Sequence, residues 1–262
     1  MARIRTATGI SLGYDEVDEG GRMPIIFLHG VGSDKSVWRP QLEYFRGERR
    51  AVALDYPGYG DSDPAIEGMS RDDYAGTILA ALTELGIDRA HVCGLSLGGV
   101  VAIAMHAAWP KRIASLILAD TFAEHPDGHV IYERGVAASS DLRALAENRV
   151  DALLAQPADP KVRSEVIETM ARIEPAAYRI GARAVWLAEQ SRRAAAIRVP
   201  TLVLCGSEDH ITPPALSRSL ARLIPGALYE SVEGAGHIAN LEKPDTFNAL
   251  VGAFVRGVDS RT

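Results

Sequence analysis

One serine flanked by glycines, seven histidines and a few acidic residues in glycine-rich loops are the groups in this chain able to break a bond. Gly94-Leu95-Ser96-Leu97-Gly98 follows a short apolar run and opens a helical pattern. That context predicts a serine on a tight strand-to-helix turn, where neighbouring side chains must be small, and Gly99 extends the allowance. The helix start behind it adds positive potential near a developing oxyanion. Without those flanks the pentapeptide would say little, because glycine and serine are common turn residues.

A serine hydroxyl attacks only with a base beside it, so a histidine must be found. His29 closes an apolar run before Gly30, which suits an oxyanion loop better than a base. His91 begins a strand and His106 sits inside a helix, where packing roles are expected. His125 and His129 are spaced for a metal, yet no third-ligand signature accompanies them. His210 directly follows an acid candidate and would point elsewhere. His237 remains, in the loop Gly234-Ala235-Gly236-His237. The acid orienting that imidazole should leave the same sheet edge. Asp209, in Gly206-Ser207-Glu208-Asp209, meets the requirement. Asp120, at the end of the strand after the serine's helix, is its rival, and Glu208 comes third. Backbone N–H groups of Val31, between Gly30 and Gly32, and of Leu97 are the candidate oxyanion donors.

These loops need a scaffold, and the pattern supplies one. Pro24–Leu28, Ala51–Leu54, His91–Cys93, Ile113–Ala119 and Thr201–Cys205 are apolar at successive positions, as strands covered on both faces are. Helical patterns over Ser70–Leu85, Gly98–Trp109 and Pro213–Leu223 alternate with them. Strand, helix, strand in this order implies right-handed crossovers and a mostly parallel α/β sheet with helices on both faces. A turn at Thr8-Gly9 predicts a leading hairpin. From about 122 to 196 the alternation lapses into helix, over Val136–Ala155, Val162–Ile173 and Pro175–Ala188. Such a block reads as a helical cap inserted in a single domain spanning 1–262, or as an extra layer with no part in binding.

Composition excludes other classes. Apolar residues make up 47% and charged residues 24%, which rules out a disordered chain. A net charge of −6 with scattered arginines argues against a nucleic-acid surface. No apolar stretch is long enough to span a membrane, and the first residues lack a signal peptide's pattern. With only two cysteines, Cys93 and Cys205, a cytoplasmic protein is expected. No metal or organic cofactor is expected, and the oligomeric state is not legible.

His29-Gly30, Asp55-Tyr56-Pro57-Gly58-Tyr59-Gly60-Asp61-Ser62, the Ser96 elbow, Gly206-Ser207-Glu208-Asp209 and Gly236-His237 together resemble the α/β-hydrolase superfamily, across nearly the whole chain. The chain order Ser96, Asp209, His237 matches that architecture. The Gly-Leu-Ser-Leu-Gly-Gly elbow and Asp209-His210-Ile211-Thr212-Pro213-Pro214 are similar to those of 3-oxoadipate enol-lactonases and small capped carboxylesterases. The resemblance implies a catalytic triad and cleavage of a small ester or lactone through an acyl-serine. Ser96 excludes relatives that use a carboxylate nucleophile. Carbon–carbon bond hydrolases, cofactor-free perhydrolases and non-enzymatic small-molecule receptors of the same fold stay open.

The remaining signals are balanced against plain packing. Trp38 and Trp186 are candidate walls of the substrate pocket, or simply core. Tyr178 and Met170 read as packing of the helical block. Arg134, Arg143, Arg172, Arg179 and Arg183 could meet a substrate carboxylate, though a solvated face explains most of them. Cys93 and Cys205 read as small buried apolar groups. Gly58-Tyr59-Gly60 lacks the third glycine of a dinucleotide fingerprint.

Overall fold

Strands built from unbroken apolar runs must be covered on both faces, and that requirement organises the chain. The computed structural model describes residues 2–18 and 20–261. Its strands are β1 Ala2–Arg5, β2 Ser11–Val17, β3 Arg22–Leu28, β4 Arg49–Leu54, β5 Ala90–Leu95, β6 Ile113–Ala119, β7 Thr201–Gly206 and β8 Leu228–Val232. They form one sheet in the order β1-β2-β4-β3-β5-β6-β7-β8. The β1/β2 and β2/β4 pairs are antiparallel, and every pair from β4 to β8 is parallel. Strands β5, β6 and β7 are buried at every position. Their C-terminal ends therefore deliver side chains to one edge from a rigid base.

The helices are α1 Arg39–Phe45, α2 Arg71–Glu84, α3 Leu97–Ala108, α4 Gly128–Ala137, α5 Leu142–Leu153, α6 Pro160–Ala171, α7 Pro175–Trp186, α8 Ser191–Ala195, α9 Pro214–Leu223, α10 Ala239–Glu242 and α11 Pro244–Asp259. Helices α1 and α11 pack on each other and on the sheet. Helices α2, α3, α8 and α9 form a second group. Helix α2 starts where the sequence places it because Ser70 and Asp73 make a reciprocal capping box. Helices α4 to α8 fall between β6 and β7, the stretch in which no strand was expected. The single helix expected over Val136–Ala155 is instead broken. Ser139 returns its hydroxyl to the Val136 carbonyl, and Asp141 caps α5 through the Ala144 amide. Two such polar groups side by side favour ending one helix and starting another. Among the described residues no helix is long and apolar enough to cross a membrane.

Helix α3 lies so close to β3 that a Cβ on Gly98 would overlap the Leu28 carbonyl. The Gly98→Ala variant should lower the melting temperature by about 2–12 °C. This follows from an overpacking cost of roughly 1–3 kcal/mol and about 2–4 °C per kcal/mol for a domain of this size. Circular dichroism melts of both proteins measure it, and an unchanged midpoint would show that strand and helix are not this close.

Candidate active site

Ser96 occupies the junction of β5 and α3 at φ 54° and ψ −111°, left-handed backbone that a side-chain-bearing residue seldom adopts. The surroundings over-determine it, as a strained site requires. Its amide donates to the Ala119 carbonyl at 2.9 Å, and its own carbonyl accepts from the Thr121 hydroxyl at 2.8 Å. A Cβ on Gly94 would run into Gly98 and Gly99, so the turn closes only around glycines. The serine is 3% exposed and lines a cavity at this sheet edge.

Across the edge, the loop leaving β7 folds around the Asp209 carboxylate. Oδ1 accepts the Ile211 and Thr212 amides at 2.8 and 2.9 Å. Oδ2 accepts the Thr212 hydroxyl at 2.7 Å and the His237 Nδ1–H at 2.9 Å. Burial alone would favour the neutral acid. The attraction of His237, the hydrogen bond from its ring and the Thr212 donors outweigh burial and hold the carboxyl at about 2. Asp209 is therefore a carboxylate that fixes the His237 tautomer with Nδ1 protonated and leaves Nε2 as the basic nitrogen. His237 is anchored through its backbone too, its amide donating to the Leu153 carbonyl of α5 at 2.7 Å. Glu242 accepts the Gly236 amide at 3.0 Å and the Ala155 amide at 2.7 Å, stapling the histidine loop to the end of α5. Ser96 and His237 line the same cavity, and no hydrogen bond joins them. Such contacts commonly tighten only when substrate arrives.

Asp120, the rival acid, has another place. It ends β6 with φ 46°, fully buried, and its Oδ1 accepts the Gly206 amide at 2.8 Å. Burial, reinforced by the nearby Asp209 charge, pushes its carboxyl well above the usual range, so it is the neutral member of the pair. Asp120, Cys205 and Asp209 present donor atoms within 4.8 Å of one another. As a metal site the set is poor: burial keeps the Asp120 carboxyl and the Cys205 thiol protonated, and Asp209 is committed to His237. Glu208 gives its amide to the Ala235 carbonyl, and no hydrogen bond or ion pair joins its side chain to His237.

The loop after β3 provides donors. His29 is buried, and desolvation lowers its pKa, keeping the ring neutral. Its Nε2 accepts the Tyr56 amide at 3.4 Å, so Nδ1 carries the proton and donates to the Gly30 carbonyl at 2.8 Å. Carbonyl and N–H of a trans peptide point in opposite directions. Holding the Gly30 oxygen against His29 thus turns the Val31 N–H the other way. Neither the Val31 amide nor the Leu97 amide has a partner among the described residues. The loop is braced below by Lys35, whose Nζ donates to Asp55 at 2.7 Å and Asp61 at 2.5 Å.

Above the edge, the helical insertion walls the cavity with Arg149, Leu153, Val166, Met170, Tyr178 and Trp186. The cavity is small, about 50 Å³. Trp186 lines it, 3% exposed and stacked on Phe122 at 5.8 Å. Trp38 does not. Its short turn, Lys35–Trp38, sends the indole inward against Phe27 at 4.9 Å and Phe247 at 6.1 Å, and Val37 faces the cavity instead. Of the two readings of Trp38, the pocket wall is dropped and the core residue stands. Thr212 and Glu242 escaped the sequence reading. A threonine three residues after an aspartate and before Pro213 was the available signal for Thr212, whereas Glu242 carried none.

The sequence profile described as "Alpha/beta hydrolase family" matches residues 25–250. The chain belongs to that family. Among curated α/β-hydrolase relatives, 3-oxoadipate enol-lactonase 1 of Acinetobacter baylyi is 27% identical over 238 residues, 89% of each chain. A 2-hydroxy-6-oxononadienedioate/2-hydroxy-6-oxononatrienedioate hydrolase of Pseudomonas putida is 28% identical over 287 residues, 98% of this chain and 96% of that one. A solved thermophilic esterase from Thermogutta terrifontis superposes with a TM-score of 0.89 at 26% identity, covering 98% of both chains.

The raised pKa of Asp120 sets a pH signature for this α/β hydrolase. The unfolded chain releases that proton near pH 4, while the native state keeps it, so stability is lost as pH rises above about 4. The Asp120→Asn variant keeps the Gly206 bond and removes the penalty. Its melting temperature should exceed that of wild type by a few degrees at pH 8, with the gain disappearing by about pH 3.5. Calorimetry across this range checks it; a variant less stable at pH 8 would mean that Asp120 is ionised in the fold.

Proposed function

We propose that this α/β hydrolase cleaves a carboxylic ester or lactone through an acyl-serine intermediate. What carries the reading is the Asp209–His237 hydrogen bond at 2.9 Å, facing a cavity that Ser96 also lines. Substrate closes the remaining distance between Ser96 and the imidazole. Ser96 Oγ then attacks the carbonyl carbon while His237 Nε2 takes the hydroxyl proton, and Asp209 stabilises the imidazolium. The carbonyl oxygen becomes an oxyanion held by the unpaired Val31 and Leu97 amides, with the first turn of α3 adding positive potential. Collapse expels the alkoxide, which takes the proton from His237. Water deprotonated by the same ring then attacks the acyl-serine, and a second collapse releases the acid and restores Ser96. Each proton taken is returned, so no other co-reactant is required.

The helical segment between β6 and β7 is the cap of this site, with Trp186 as one of its walls. Enol-lactonase and esterase relatives support the ester or lactone class. The hydrolase relative from Pseudomonas putida keeps carbon–carbon bond cleavage by the same residues as the second reading. Two free, buried cysteines fit a cytoplasmic setting.

Turnover of p-nitrophenyl acetate tests the mechanism. Ser96→Ala and His237→Ala should each lower kcat at least a hundredfold with little change in melting temperature. The double variant should be no worse than either alone, because base and nucleophile act as one unit. Asp209→Asn should also be crippled, since its amide favours the wrong imidazole tautomer. A folded Ser96→Ala protein retaining more than about a tenth of wild-type turnover would sink the assignment.

A further inference from the structure

The cavity around Ser96 holds a charge without a counterion. Its walls are mostly aliphatic or aromatic, and no aspartate or glutamate lines it. Arg149, half-buried on α5, is the one side chain with a permanent charge among the lining residues. Its Nη1 donates to the Tyr178 hydroxyl at 3.2 Å. That phenol is fully buried, and burial raises its pKa, so it stays neutral and is no counterion. Four other arginines of the insertion are paired, Arg143 with Glu168, Arg163 with Asp151, Arg172 with Asp34 and Arg193 with Asp72, and none of its remaining arginines lines the cavity. Arg149 has no carboxylate within ion-pairing distance among the described residues.

We propose that Arg149 is the anion anchor of this cavity, and that the ester or lactone cleaved at Ser96 carries a carboxylate. The inference rests on the hydrolase reading and narrows its substrate class. A guanidinium facing an apolar cavity is poorly solvated, and a ligand carboxylate answers it with two parallel, charge-assisted hydrogen bonds. Helix α5 also sets the span. Leu153, whose carbonyl holds the His237 amide, lies one turn beyond Arg149, about 6 Å along the axis. Anion anchor and base are thus fixed to one rigid element. The site should therefore discriminate by the number of atoms between carboxylate and scissile carbonyl.

Methyl hydrogen succinate, glutarate and adipate, each beside the neutral methyl ester of the matching monocarboxylic acid, test this. For the wild-type enzyme at least one half-ester should exceed its neutral counterpart in kcat/KM by tenfold or more. Arg149→Met should lower kcat/KM for that half-ester by about ten- to hundredfold, mainly through KM, as loss of charge-assisted hydrogen bonds does. Neutral esters should change less than about threefold in the same comparison. Arg149→Lys should retain part of the preference. No half-ester preference in wild type, or an equal loss on both substrate types in Arg149→Met, overturns the proposal. Thermal shift separates it from the hydrolase reading. Glutarate should raise the melting temperature of wild type and of Ser96→Ala, but not of Arg149→Met. If it protects without any ester being cleaved, the anchor stands and the ester reading fails; if it protects Arg149→Met equally, the anchor fails.

Discussion

A serine held at φ 54° between a buried parallel strand and a helix is the constraint on which the remaining architecture depends. The conformation is costly, of the order of 1–3 kcal/mol, and persists only where neighbours leave no alternative. Those neighbours are specific. Gly94 and Gly98 let the turn close, Gly98 lets α3 approach β3, and the Ala119 and Thr121 bonds hold the serine backbone from β6 and the residues beyond it. The same close packing brings the β3 loop beside the serine, where a Cβ on Gly30 would lie 3.5 Å from Ser96 Cβ. The placement of the Val31 loop and that of Ser96 are thus consequences of one turn.

A second constraint acts on charge. The β6 and β7 ends bring two carboxyl groups close together in a buried place, where both cannot be ionised cheaply. The conflict is resolved by unequal partners. Asp209 has the Thr212 donors and the His237 ring and stays charged, whereas Asp120 has one amide and stays neutral. Neutral Asp120 still contributes, because its bond to Gly206 holds the start of the Asp209 loop.

The same distinction explains what the sequence could and could not disclose. Unbroken apolar runs located five strands, with β6 at its observed bounds, because full burial leaves no polar interruptions. The helix over 136–155 was too long because its break depends on local side-chain bonds at Ser139 and Asp141, which periodicity does not register. Position in the chain favoured Asp209 but left Asp120 as a rival, since both follow neighbouring strands; three-dimensional placement against His237 separates them. Trp38 adjoins the Gly30–Gly32 loop in sequence yet turns into the core, whereas Trp186, distant in sequence, reaches the cavity. Arg149 was not among the arginines the sequence singled out, because facing a cavity without a counterion is a property of space.

The central claim is that the Asp209–His237 pair makes Ser96 the one activated nucleophile of this chain. Reaction with a fluorophosphonate, followed by intact-protein and peptide mass spectrometry, addresses it without presuming a substrate. The account predicts one phosphonate per chain, on Ser96, formed far more slowly in Asp209→Asn than in Asp120→Asn. Labelling at another residue, or equal rates in all three proteins, would contradict it.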